Sequence, residues 1–140
     1  MARIKWAAAF ESGVPAIDAQ HMEMFERTNA LMDACSRGLG REQMSKALDF
    51  LAEYCQDHFK QEEEIMQHNA YPLLKQHMEL HAHLTNLVGE LRTHMKSNAP
   101  SVSDVIILAE ALSGWLVDHI GKEDQKVFRY LHEQKWSQKN

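Results

Sequence analysis

The sequence predicts an all-α fold: an antiparallel up-down-up-down four-helix bundle preceded by an N-terminal arm. Apolar residues recur at helical spacing along four long stretches, and short segments containing glycine, asparagine or proline separate these stretches. No stretch alternates apolar and polar residues as a half-buried strand would. A chain of 140 residues, 44% of them hydrophobic, is long enough to bury a core, so we expect one domain over residues 1–140. Its predicted parts are an arm (1–17), the bundle (18–131) and a polar tail (132–140).

Turn and cap residues delimit the arm and the first helix. Residues 1–17 lack a helical period, and four large apolar side chains are expected to anchor them on the bundle: Trp6, Phe10, Val14 and Ile17. Asp18 is predicted to cap the first helix, which should run from about residue 19 to residue 36. Gly38 and Gly40 should end that helix in a short turn.

Three further helices complete the predicted bundle. The second should run from about residue 42 to residue 67. The third should cover about 72–96, with Pro72 at its first position, where a missing N–H costs least. The fourth should cover about 102–130, and Ser101 is placed to cap it.

Composition narrows the expected partners and location. A formal charge of −5 gives no reason to expect nucleic acid or an anionic membrane as a partner. No basic and apolar leader opens the sequence, and no apolar run approaches the roughly 20 residues of a membrane span. We therefore expect no membrane span and a cytoplasmic location. Cys35 and Cys55 have no metal-binding or redox spacing and are predicted to be buried, reduced thiols.

Histidines and carboxylates on otherwise apolar helix faces indicate a metal site. Residues four apart on an α-helix differ by only about 40° around the axis, so such pairs point the same way. Two pairs have this spacing, His58 with Glu62 and His77 with His81. His21 on the first helix and His119 on the fourth, with a carboxylate near it, occupy comparable positions.

A single histidine on an apolar face is usually a core residue with a satisfied hydrogen bond. Five imidazoles and two carboxylates together would leave many buried groups to pair, at about 1–3 kcal/mol for each one left unsatisfied. Divalent metal accounts for them more simply. Seven donors exceed the four of a closed zinc site, which implies two metals bridged by carboxylates. Imidazole and carboxylate without thiolate suit iron, manganese or zinc.

The metal-site sequence strings resemble the hemerythrin family in its bacterial single-domain form. They are IDAQH at 17–21, HFKQEE at 58–63, YP at 71–72 before HMELH at 77–81, and WLVDHI at 115–120 before Asp124. The resemblance covers nearly the whole chain and implies two iron ions joined by an oxo or hydroxo bridge. It assigns His77, His81 and His119 to one iron, His21 and His58 to the other, and Glu62 and Asp124 to both.

Helix geometry and the resemblance disagree about the fourth-helix carboxylate. On a regular helix Glu123 lies about 40° from His119, whereas Asp124, five residues after it, lies about 140° away. Geometry alone favours Glu123, and the resemblance favours Asp124. Both observations are reconciled if a one-residue π-bulge interrupts the helix around Gly121, and we predict that irregularity.

The resemblance also implies a function: reversible binding of O2, as a hydroperoxide at the two-histidine iron, for oxygen storage, delivery or scavenging. This is oxygen binding without enzymatic turnover. Four apolar residues match the positions that line the family's oxygen pocket: Phe59, Trp115, Leu116 and Ile120. A redox protein or an oxygen-consuming protein is the kind of protein partner that this function suggests.

Three alternatives use the same donors. The site could serve a peroxide or nitric oxide reductase, although the sequence reveals no general acid and no substrate cleft. It could serve a sensor of oxygen, redox state or iron, in which the oxidation state changes the bundle. A structural zinc bundle would explain the donors but not an open coordination position.

Overall fold

The computed structural model describes residues 3–38, 40–96 and 102–135, and over these residues it is helical with no strand, which confirms the predicted fold class. A 3-10 turn, Ala8–Phe10, precedes the first helix. The helices are α1 (Pro15–Ser36), α2 (Arg41–His68), α3 (Leu74–Lys96), α4 (Val102–Asp118) and α5 (Asp124–Glu133), and a π-helical segment, His119–Glu123, joins α4 to α5.

The helices close into a four-sided bundle in which α1 and α3 each pack against both α2 and α4. Short connections make successive helices antiparallel. The main core lies between them and includes fully buried leucines from all four sides: Leu31, Leu48, Leu51, Leu91 and Leu112. Burying one such side chain stabilises the fold by about 1.5–3 kcal/mol relative to exposure, so this core can support polar groups at one level of the bundle.

The start of α1 differs from the prediction. Pro15 occupies its first turn, four residues before the predicted start, and Asp18 lies inside the helix rather than capping it. The Asp18 carboxylate instead accepts a hydrogen bond from the backbone N–H of Ser12, at 2.8 Å. Proline initiates the helix because its fixed φ suits the first turn, and the carboxylate satisfies an amide of the preceding loop.

The other helix ends are close to the predicted ones. The α2 helix is one residue longer at each end than predicted. The α3 helix begins at Leu74 rather than Pro72, because Tyr71, Pro72 and Leu73 form a turn closed by the Leu74 N–H on the Tyr71 carbonyl. Gly40, with φ +95°, ends the turn before α2 in a conformation that disfavours other residues. The predicted Ser101 cap lies outside the described residues.

The predicted irregularity in the fourth helix is confirmed. Residues 119–123 form a π-helical turn in which the backbone N–H of Asp124 bonds to the carbonyl of His119, five residues earlier. The Cα of Gly121 faces the N-terminal arm, since a Cβ there would lie 3.4 Å from the Phe10 ring. The extra residue changes the direction in which every later side chain of the fourth helix points.

The N-terminal arm is tied to the bundle by rings and by one buried amide. Trp6, Phe10 and Phe25 form a ring cluster with centroids 5.0–5.8 Å apart. The buried Asn29 side chain accepts from the Ile4 N–H at 2.8 Å and donates to the Ile4 carbonyl at 3.0 Å. The Asn29 side chain thus pairs with both backbone polar groups of Ile4, as a neighbouring β-strand would do.

We predict that Asn29→Ala loosens the arm. Both backbone groups of Ile4 lose their partner, so the free energy of unfolding should fall by about 1–3 kcal/mol and proteases should cleave before residue 15 faster than in the parent protein. Asn86→Ala, at an exposed asparagine of α3, is the matched control. Equal stability and equal cleavage rates in the two variants would show that the amide does not hold the arm.

Candidate metal centre

Seven residues with polar side chains converge inside the bundle, and none of these residues is more than 3% exposed. They are His21, His58, Glu62, His77, His81, His119 and Asp124. These are the seven residues that the sequence and its resemblance single out. Burial of so many ionisable groups at one level of an apolar core is costly unless they compensate one another or hold a cation.

Each helix presents its donors through regular spacing, except the last. The α1 helix supplies His21, and α2 supplies His58 and Glu62 one turn apart. The α3 helix supplies His77 and His81, again one turn apart. On the fourth side, His119 opens the π-helical segment and Asp124 follows it directly.

The donor atoms form two groups, in each of which all atoms lie within 4.8 Å of one another. The first, here called the three-histidine half, contains His77, His81 and His119 with Glu62 and Asp124. The second, the two-histidine half, contains His21 and His58 with the same two carboxylates. Each group has the spacing and donor types with which a protein can hold a metal ion.

The two oxygens of Glu62 face different halves. Oε1 lies 2.8 Å from Nε2 of His77 and 3.3 Å from Nε2 of His81. Oε2 lies 3.2 Å from Nε2 of His58 and 3.8 Å from Nε2 of His21. This carboxylate therefore spans the two groups, one oxygen to each.

Asp124 lies on the opposite side of the bundle and also spans the two halves. Its Oδ1 lies 3.1 Å from Nε2 of both His77 and His119, and its Oδ2 lies 3.2 Å from Nε2 of His21. Glu123, the alternative that regular geometry favoured, is partly exposed and pairs with Lys126 at 3.2 Å. The π-helical turn is what brings Asp124 rather than Glu123 to the centre.

Two supporting residues fix histidine rings from outside the centre. His58 Nδ1–H donates to Gln20 Oε1 at 2.6 Å, and His81 Nδ1–H donates to Glu63 Oε2 at 2.6 Å. A proton on Nδ1 leaves the lone pair of each ring on Nε2, which faces the centre. From spacing alone, Glu63 and Glu64 are expected to form a solvated face, because only Glu62 has the right offset from His58. For Glu63 this expectation is wrong, because its carboxylate accepts a hydrogen bond from His81.

The roles of Gln20 and Glu63 were not predicted from the sequence, although both residues adjoin predicted ligands. The available signal was chemical. A metal-binding histidine usually donates its second ring N–H to a polar group, so each predicted ligand histidine needed a candidate partner on a neighbouring helix.

The donor set fits a cation better than it fits hydrogen bonding alone. Nε2 of His21 lies 3.0 Å from Nε2 of His58, and Nε2 of His81 lies 3.1 Å from that of His119. Each such pair of nitrogens can share at most one proton. Among the described residues, the buried Asp124 Oδ1 has close nitrogens but no hydrogen bond of good geometry, and Nδ1 of His21 and of His119 has no partner. A positive ion among these atoms would satisfy the Nε2 lone pairs and the carboxylates together.

Protons carry the positive charge in the metal-free chain. Burial lowers the pKa of His21 and of His77, but the adjacent carboxylates of Asp124 and Glu62 outweigh burial and raise each pKa to about 9. Burial works to raise the pKa of both carboxyls, yet the surrounding histidines hold the pKa of Glu62 and of Asp124 well below the usual range. Two carboxylates and two imidazolium groups thus balance one another.

Aromatic rings stack on the three-histidine half. Phe59 lies parallel to His81, with centroids 3.8 Å apart, and Trp115 lies parallel to His119, with centroids 4.5 Å apart. The Phe59 and Trp115 rings meet each other edge to face, with centroids 6.2 Å apart. Leu116 and Ile120, the other two predicted pocket residues, are fully buried in the same core.

The histidines outside the centre lie at the surface, and both cysteines are buried as predicted. His68, His83, His94 and His132 are exposed, and the ring of His132 also donates to the Ser12 carbonyl at 2.8 Å. Cys35 and Cys55 are free and buried. Burial raises the pKa of these thiols to about 11 and about 12, which keeps them protonated and unreactive.

The charge balance predicts how the metal-free protein responds to pH. A histidine whose folded-state pKa is raised contributes stability below its ordinary pKa of 6.5 and loses that contribution as pH rises through about 9. The free energy of unfolding of chelator-treated protein should therefore fall by a few kcal/mol, on the order of one for each pKa unit, between these limits. Urea unfolding across the range measures it.

A paired variant tests the source of this pH effect. His77→Asn should flatten the dependence, whereas His83→Asn, at an exposed histidine of α3, should leave it as in the parent. Identical pH dependence in the parent and His77→Asn would mean that the buried imidazole is not the titrating group.

Comparison with known proteins places this centre in a family. Residues 12–131 match the hemerythrin HHE cation binding domain. The chain is similar to the protein named bacteriohemerythrin of Methylococcus capsulatus, with 32% identity over 126 residues that cover 89% of this chain and 94% of that protein. It is 31% identical over 125 residues to the bacteriohemerythrin of Stenotrophomonas maltophilia, covering 89% of this chain and 79% of that protein. None of the described helices has the length and hydropathy to cross a membrane. The chain belongs to the hemerythrin family.

Proposed function

We propose that this chain holds two iron ions and binds O2 reversibly, without enzymatic turnover, for oxygen storage, delivery or scavenging in the cytoplasm. The observation that carries the proposal is the orientation of the two carboxylates. Glu62 and Asp124 each direct one oxygen to the three-histidine half and the other to the two-histidine half. Such an arrangement suits two ions that would share both carboxylates but none of the histidines.

The proposed ligands divide as the two groups do. His77, His81 and His119 would hold one ion, and His21 and His58 the other, with Glu62 and Asp124 between them. Imidazole and carboxylate donors without a thiolate suit iron. The relatives named bacteriohemerythrin support the choice of iron and of oxygen as the ligand.

The unequal halves support binding of a small ligand. The two-histidine half offers one protein donor fewer than the three-histidine half. If each half held an ion of the same coordination number, the ion in the two-histidine half would have one position left for an exogenous ligand. Two ferrous ions held by these residues would supply the two electrons that reversible O2 binding needs.

The surrounding side chains would keep the bound state reversible. Leu116 and Ile120 are fully buried and offer no proton, so they exclude water from the interior beside the centre. Phe59 and Trp115 hold the planes of His81 and His119 by stacking and add apolar surface on that side. By keeping water and stray protons away, these four side chains would prevent the loss of bound oxygen as hydrogen peroxide.

An absorption spectrum tests the proposal. Reduced protein with about two irons per chain should develop a visible charge-transfer band in air and lose it on evacuation. Irreversible oxidation would indicate a reductase or a sensor instead. Zinc without a visible band would contradict oxygen binding altogether.

The pocket can be tested separately from the metal. Leu116→Ala should admit water and raise the rate of oxidation in air about tenfold or more while iron content stays near that of the parent, since a barrier change of about 1.4 kcal/mol is a tenfold change in rate. Leu112→Ala is the matched control, because Leu112 is equally buried one turn earlier in α4 and its truncation costs similar stability. Equal oxidation rates in the two variants would show that Leu116 does not shield the centre.

A further inference from the structure

Two of the five histidines in the centre are held by side chains that reach solvent, and these two side chains differ in charge. His58, in the two-histidine half, donates to the amide oxygen of Gln20. His81, in the three-histidine half, donates to the carboxylate of Glu63. Both contacts are 2.6 Å long, so the difference lies in charge and not in distance.

A second hydrogen bond orients the Gln20 amide. Its Nε2 donates to Oε1 of Gln61 on α2 at 3.0 Å, which leaves Oε1 as the atom that faces His58. Hydrogen bonds thus link Gln61 to Gln20 and Gln20 to His58, and Nε2 of His58 faces the centre. Gln20 can only accept from this ring, so the proton stays on Nδ1.

Glu63 fixes His81 in the same sense but adds a negative charge. Its side chain is 26% exposed, against 4% for the ring that it contacts. Glu63 contacts the edge of that ring at Nδ1, and Phe59 covers one of its faces. Hydrogen bond and ring stack together leave the His81 imidazole one orientation.

The two remaining opposed rings lack such support. Nδ1 of His21 and Nδ1 of His119 are buried and have no hydrogen-bond partner among the described residues. His119 is held by its stack on Trp115 instead. Each opposed pair, His21 with His58 and His81 with His119, thus contains one ring held by a hydrogen bond at Nδ1 and one ring without such a bond.

We propose that Gln20 and Glu63 are positioning residues that set the Nε2 lone pairs of His58 and His81 and make the two halves electrically unequal. This inference rests on the proposed function only in taking the bound ions to be redox-active iron. A carboxylate behind His81 makes that imidazole a stronger donor and favours the higher charge state of the ion that it holds. A neutral amide behind His58 leaves the proposed oxygen-binding half without that added charge.

The positioning role can be tested in the metal-free protein. Histidine nitrogen NMR should show His81 protonated at Nδ1 in the parent and in Glu63→Gln, because an amide oxygen can still accept the bond. In Glu63→Ala the ring should become a mixture of tautomers. Glu64→Ala, at the exposed neighbour, is the control. A ring that keeps its Nδ1 proton in Glu63→Ala would overturn the positioning role.

The charge role needs a different comparison. Glu63→Gln keeps the bond and removes the charge, so it should weaken Co²⁺ affinity, measured by chelator competition, about tenfold and raise the reduction potential of the iron-loaded protein. Gln20→Glu adds charge behind His58 and should lower that potential. Glu64→Gln and Gln67→Glu, at exposed positions of α2, carry the same net charge changes and should leave both quantities near the parent values.

The outcomes separate this inference from the proposed function. If Glu63→Gln and Glu64→Gln have the same Co²⁺ affinity and the same potential, the charge of Glu63 has no role and the inference fails. If the parent binds Co²⁺ and the NMR result holds but iron and oxygen are not bound reversibly, the proposed function fails while the positioning role stands.

Discussion

The electrostatic balance of a small buried volume is the constraint on which this structure depends. Five imidazoles and two carboxylates lie almost fully out of water at one level of a leucine-rich bundle. Isolated charges there would be prohibitive, so the group must carry its own compensation. In the metal-free chain, protons on His21 and His77 supply the positive charge; metal ions would do so with many more favourable contacts. Folding and metal binding are therefore coupled through the same atoms.

The backbone accommodates this constraint at one place. Three sides of the centre need only the one-turn spacing of a regular helix, as in His58 with Glu62 and His77 with His81. The fourth needs His119 and the carboxylate five residues later to face inward together, which an unbroken α-helix does not permit. The π-helical turn meets that need. The arm packs beside it through Phe10 and Gly121, so the least regular part of the bundle is also covered.

Unequal surroundings then distinguish two halves built from the same residue types. The three-histidine half is covered by stacked Phe59 and Trp115 and supported by the Glu63 carboxylate. The two-histidine half has one donor fewer and a neutral support in Gln20. Rigid packing on one side and one donor fewer on the other would suit the reversible binding proposed above, because only one of the two ions would then change its ligands.

The sequence by itself determined the helices, the inward residues and six of the seven donors, because helical periodicity depends only on local spacing. Spacing left Glu123 and Asp124 open, and the family resemblance was needed to favour Asp124. Tertiary structure decided what depends on neighbours from other helices. It decided how the oxygens of Glu62 divide between the two halves, which ring each aromatic side chain stacks on, and that Glu63 serves His81. It also decided the start of α1, where Asp18 bonds to the Ser12 amide instead of capping the helix. These features rest on contacts between residues far apart in sequence or on competition for one amide, and periodicity carries no information about either.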